Sequence, residues 1–105
     1  ISSINLLRPK PLREPKFILD VHLGTLARHL RLLGFDTLYR NNFKDEEIIK
    51  LSISELRIIL TRDLFILKNG KVTHGYFVRE TNPGKQLKEI IRRFDLKDQI
   101  NPFYR

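Results

Sequence analysis

Two stretches decide the fold: Lys16-Phe17-Ile18-Leu19-Asp20 and Arg57-Ile58-Ile59-Leu60-Thr61-Arg62-Asp63. Each is a short apolar run that closes on an aspartate. Runs without polar alternation suit parallel strands covered on both faces. In an open α/β sheet, ligand sites form outside the carboxyl ends of the strands. Asp20 and Asp63 are therefore expected at one edge of one sheet.

The rest of the chain supports that frame. After the first strand (16–21), Leu23, Leu26, Ala27, Leu30 and Leu33 recur at helical spacing, and Gly34 is the stop signal. Thr37–Arg40 reads as a second strand and Asn41-Asn42-Phe43-Lys44 as a loop. Asp45-Glu46-Glu47 opens a helix to about Glu55, with Ile48, Ile49 and Leu51 as its apolar part. Residues 63–68 allow one or two helical turns before the Asn69-Gly70 turn. Val72–Val78 predicts a fourth strand, interrupted by Gly75. Asn82 caps a last helix with Pro83 in its first turn, and Leu87, Ile90, Ile91 and Phe94 share its inner face. This alternation predicts an α/β fold, a mostly parallel sheet of about four strands flanked by helices. Pro9, Pro11 and Pro15 mark residues 1–15 as a proline-rich arm or interdomain linker, ahead of a domain at 16–105.

With 105 residues the chain is one domain. A domain of this size buries roughly two-thirds of its unfolded surface. The net charge of +8 concentrates anions, and nucleic acid is the commonest large one. The basic surface of a heat-adapted protein has the same composition. The absence of Cys excludes disulfides, thiolate zinc sites and cysteine catalysis within this chain. His22, His29 and His74 lack the spacing of a zinc helix. No apolar run approaches the roughly 18 residues of a membrane span and no signal peptide is visible, so a cytoplasmic protein is expected. With no Met, even at position 1, the chain is expected to be part of a longer protein.

Asp20 and Asp63 are the strongest chemical pair. Mg²⁺ and Mn²⁺ prefer oxygen ligands, and one or two carboxylates plus a substrate phosphate complete such a site. Each aspartate also fits an N-cap for the helical segment after it. Asp45, Glu46 and Glu47 suit the start of a helix, where acids favour the macrodipole. Alternatively, one or two of them reach toward Asp20 as a further metal carboxylate. Lys85, Lys88 and Arg92 form a stripe at i, i+3, i+7; Arg28, Arg62 and Arg79 are further candidates for phosphate contact. A solvated helix face explains the stripe equally well. Tyr76 could stack on a base, or simply alternate with Phe77 between sheet faces.

The motifs LDVHLG (19–24), DEE (45–47), LTRD (60–63) and THGYFVR (73–79), in this order, resemble the Mut-seven C-terminal ribonuclease domain, a branch of the PIN-like nucleases. The resemblance covers roughly residues 16–103. It implies a PIN-like three-layer sandwich and metal-dependent cleavage of RNA. By position it implies Asp20, Asp45, Glu46 and Asp63 as catalytic acids, with Asp20, Asp63 and Asp45 on Mg²⁺ or Mn²⁺. PIN nucleases often carry a further acid after the third strand or on the fourth. Here Leu64 and Phe65 follow Asp63, and Val72–Val78 holds no acid. One held cation, with a second recruited by substrate, is the corresponding expectation. The family usually continues into a cysteine-containing zinc ribbon, and many members begin with a ubiquitin-like domain. The rival readings are a noncatalytic RNA-binding module and a protein-interaction domain.

Overall fold

The computed structural model describes residues 15–100. The arm expected at 1–15, save Pro15, and the closing Asn101-Pro102-Phe103 lie outside the described residues. Four strands form one sheet: β1 (Lys16–Leu19), β2 (Asp36–Leu38), β3 (Ile58–Thr61) and β4 (Gly75–Phe77). Their order is β2-β1-β3-β4 and every pairing is parallel, where a mostly parallel sheet was expected. A 3₁₀ turn (Val21–Leu23) leads into α1 (Gly24–Leu32); α2 (Asp45–Ser54), α3 (Leu64–Lys68) and α4 (Pro83–Arg93) each follow a strand. In a parallel sheet, such helices all begin at the carboxyl edge.

Side chains alternate across the central strands. Phe17, Leu19 and Leu60 join Leu26, Ala27 and Leu30 of α1 and Ile90 of α4 in one buried cluster. Ile18 and Ile59 join Ile48 and Ile49 of α2 and Ile66 of α3 in the other. The sheet is thus the middle layer of an α/β sandwich, and its apolar strands are buried on both faces. Phe17 anchors the first cluster through edge-on contacts with Phe35 and Phe94, at centroid distances of 6.4 and 5.7 Å. No helix among the described residues is long and apolar enough to cross a membrane.

Three helices end on a left-handed residue followed by the same long hydrogen bond back to the helix. After α1, the Gly34 N–H donates to the Arg31 carbonyl and the Phe35 N–H to that of Leu30, with Gly34 at φ 96°. This is the Schellman closure. After α2 the left-handed residue is Leu56, and after α4 it is Asp95, both at φ 55°. The Arg57 N–H reaches the Ser52 carbonyl, and the Leu96 N–H that of Ile91. These stops aim the chain into β2 after α1 and into β3 after α2, while after α4 the stop seats Leu96 in the core.

The fourth strand is shorter than the expected 72–78. It begins only at Gly75, where an added Cβ would lie 2.5 Å from Leu67 of α3. That close approach of α3 sets where pairing with β3 can start.

Candidate active site

Register brings the two strand-end aspartates together. Leu19 pairs with Leu60, so Asp20 falls beside Thr61 one step further along. Thr61 Oγ1 donates to Asp20 Oδ2 at 2.8 Å and accepts the Asp63 N–H at 2.9 Å. One fully buried hydroxyl therefore links the Asp20 carboxylate to the backbone of Asp63. Nothing in the sequence reading had singled out Thr61. Its only signal is a hydroxyl closing an otherwise apolar strand.

Both aspartates are also helix caps. Asp20 Oδ1 accepts the His22 N–H at 3.1 Å, and Asp63 Oδ1 accepts the Phe65 N–H at 2.9 Å. Capping and metal binding are compatible. The cap on α3 uses Oδ1 of Asp63 and leaves Oδ2 for another partner. Asp20 is 5% exposed and keeps its orientation from the turn that follows it. The Tyr39 hydroxyl donates to the Val21 carbonyl at 2.7 Å and pins that turn. A Cβ at Gly24 would come within 2.9 Å of the same hydroxyl, which explains the glycine of LDVHLG.

Asp45 begins α2 and reaches the same edge. It is surface-exposed, yet its carboxyl sits above its ordinary value. Partial desolvation comes first among the causes, followed by the negative charges of Asp63, Asp20 and Glu46. Asp20, Asp45 and Asp63 thus share one field. Glu47 is occupied otherwise: its carboxylate accepts the Lys44 N–H at 2.9 Å as a helix-capping contact. Glu46 borders a hollow of about 470 Å³ with Ile49, Lys50, Ile53, Asn69 and Lys71. Neither Asp20 nor Asp63 lines that hollow.

The donors fit a hard divalent cation. They are all carboxylate oxygens, and the upward pull on Asp45 marks negative charge that a cation would relieve. Among the described residues, no three His, Asp or Glu side chains are gathered closely enough to ligate one ion.

The basic candidates divide between roles. Arg62 Nη1 donates to the carbonyls of Val78, Arg79 and Glu80 at 2.7, 2.8 and 3.2 Å, and its guanidinium lies 5.6 Å from the Phe77 ring centroid. Glu89 meets the same segment from the other side, accepting the N–H groups of Arg79 and Glu80 and the Tyr76 hydroxyl. Burial alone would raise the Glu89 carboxyl, but these bonds hold it below its ordinary value. Tyr76 packs edge-on against Phe94 at 5.7 Å, with Arg93 over its ring. Its ring and hydroxyl thus take part in the packing of β4 on α4.

Arg79 and Arg92 do come together, with Arg93, around a hollow of about 370 Å³ beside Glu89. Lys85 and Lys88 are exposed on α4, and Arg28 on α1. These helices cover the face opposite α2 and α3, so the stripe is not in the same layer as Asp45. Lys85 stands nearest the acid edge, because α4 begins there.

The family model of the Mut7-C RNAse domain matches residues 15–105. Comparison with curated proteins and with solved structures gave no match. Matched over nearly its whole length, and built as a three-layer α/β sandwich, this chain belongs to the Mut7-C RNAse domain family.

Proposed function

We propose that this domain is a divalent-metal-dependent ribonuclease whose working edge is formed by Asp20, Asp63 and Asp45. The observation that carries this reading is the Thr61 hydroxyl, which bonds both the Asp20 carboxylate and the backbone of Asp63. Asp20 and Asp63 would hold Mg²⁺ or Mn²⁺, with Asp45 at its margin and Glu46 further out. When bound, such an ion stabilises charge at the phosphate and acidifies water. The chain's own contribution is placement. Thr61 and the two caps fix the carboxylates before substrate arrives, so little reorganisation accompanies the reaction. Arg79, Arg92, Lys85, Lys88 and Arg28 would attract the RNA backbone from the neighbouring surface. Arg62 serves by positioning the 78–80 segment rather than by meeting phosphate with its Nη1.

Cleavage assays with Mg²⁺ or Mn²⁺, with and without chelator, test this reading. Asp63→Asn and Asp20→Asn should abolish metal-dependent cleavage. Asp63→Asn should melt at the wild-type temperature, because asparagine caps a helix about as well as aspartate. Undiminished cleavage by Asp63→Asn would reduce that residue to a cap.

A second reading draws on the open spacing of the acids: a module that holds RNA without cutting it. Salt-sensitive RNA binding by the wild type, with cleavage in neither metal, would favour it.

A further inference from the structure

We propose that Phe65 is the residue on which an unpaired RNA base stacks beside the acid edge. The inference rests on the ribonuclease reading above. Phe65 is 83% exposed, whereas Ile66, the next residue of α3, is 2% exposed and anchors that short helix in the core. Leu67 packs in the same cluster. Folding therefore draws on Ile66 and Leu67, and gains almost nothing from the ring at 65. Phenylalanine is also a poorer helix former than the alanine, lysine, arginine or glutamate that suit such an exposed position.

Its place is what gives the ring a use. The Phe65 N–H donates to Asp63 Oδ1 at 2.9 Å, so the ring is carried two residues from a candidate metal ligand. Among the described residues, the other large exposed apolar side chains are Leu32, Ile53, Leu56 and Leu64, and none is aromatic. Leu32 and Leu56 stand where α1 and α2 end, at the opposite edge of the sheet. Ile53 lines the hollow beside α2. Phe65 alone among them offers a π face at the edge where the acids meet. Base–aromatic stacking requires an unstacked base, which a duplex does not present. The net charge of +8 supplies attraction for the backbone without regard to sequence, and the ring adds the preference for single strands.

The chain has no Trp, so Phe65→Trp introduces a single indole reporter. Leu32→Trp places the same reporter at the far edge. Both proteins are titrated with oligoadenylate in the presence of chelator, so that nothing is cut, and binding is followed separately by anisotropy of a labelled oligonucleotide. The expected result is quenching of the indole in Phe65→Trp by single-stranded RNA, little quenching by duplex, and none in Leu32→Trp. Phe65→Ala should weaken single-strand binding by roughly 5- to 150-fold, with Phe65→Trp restoring it. RNA that binds with no quenching of the indole in Phe65→Trp overturns the proposal. So does a Phe65→Ala variant that keeps full single-strand affinity. Failure of every form to bind RNA overturns the ribonuclease reading, and this inference with it.

Discussion

Thr61→Val is nearly isosteric and removes one hydroxyl that serves two partners. The Asp63 N–H loses its acceptor and Asp20 Oδ2 its donor, at a residue that is 0% exposed. A hydrogen bond to a charged group is worth about 1.5–3 kcal/mol, and an orphaned buried donor costs about 1–3 kcal/mol. Both losses arise from one group and Asp63 is only half-buried, so about 3 kcal/mol in total is expected. For a domain of this size that lowers Tm by at least about 12 °C. Thr61→Ser keeps the hydroxyl and removes one methyl, costing about 1 kcal/mol. Thermal unfolding followed by far-UV circular dichroism compares the three proteins, and cleavage is assayed below the lower Tm. The valine variant should also lose cleavage while still folded, because Asp20 is no longer tied to Asp63. If valine and serine variants melt together and cut alike, Thr61 is merely a filler and the acids are positioned by something else.

Two more outcomes follow from backbone and charge. Leu56 holds a left-handed conformation that costs an ordinary residue about 1–2 kcal/mol, and it is 70% exposed. Leu56→Gly should therefore stabilise by about 0.5–1 kcal/mol after the greater unfolded-state entropy of glycine is subtracted, seen as a higher urea midpoint at unchanged m; Asp95→Gly should gain less, since aspartate tolerates this conformation. The carboxyl of Asp45 is raised in the folded protein, so its ionisation destabilises the fold at neutral pH, and that cost disappears as pH falls through its raised folded value toward the ordinary 3.8. Asp45→Asn should consequently melt higher than wild type at pH 7 but not below pH 3.8, and Mg²⁺ should raise the Tm of wild type more than that of the variant.

The sheet was legible because its central strands are apolar on both faces and each closes on an acid. Those residues satisfy local and global demands together, as in Phe17-Ile18-Leu19-Asp20. Gly34 announced the end of α1, since glycine is the ordinary residue for a left-handed turn. Leu56 plays the same part unannounced, because the return of the chain into β3 imposes there a conformation that leucine resists; Asp95 tolerates that conformation but does not announce it. The start of β4 was misjudged because Val72 and Thr73 favour strands, while the approach of Leu67 to Gly75 is visible only in three dimensions. The candidate acids could be named from their positions in the motifs. Thr61 could not, because its role depends on the pairing register of β1 with β3. Arg62 looked like any other cation, since the carbonyls it holds lie 16 to 18 residues away.

The segment 78–80 has a further consequence for how this domain can change. Its carbonyls are held by Arg62 and Gln86, and its N–H groups at 79 and 80 by Glu89. The fold thus depends on the main chain of Arg79 and Glu80, while both side chains are exposed. Exchanges at these two positions alter the surface chemistry near the carboxyl edge and leave the scaffold intact. Proline is the exception, because it removes the N–H that Glu89 accepts. Variation in charge or size at 79 and 80 is therefore a route by which related sequences can acquire different surface chemistry on an unchanged framework.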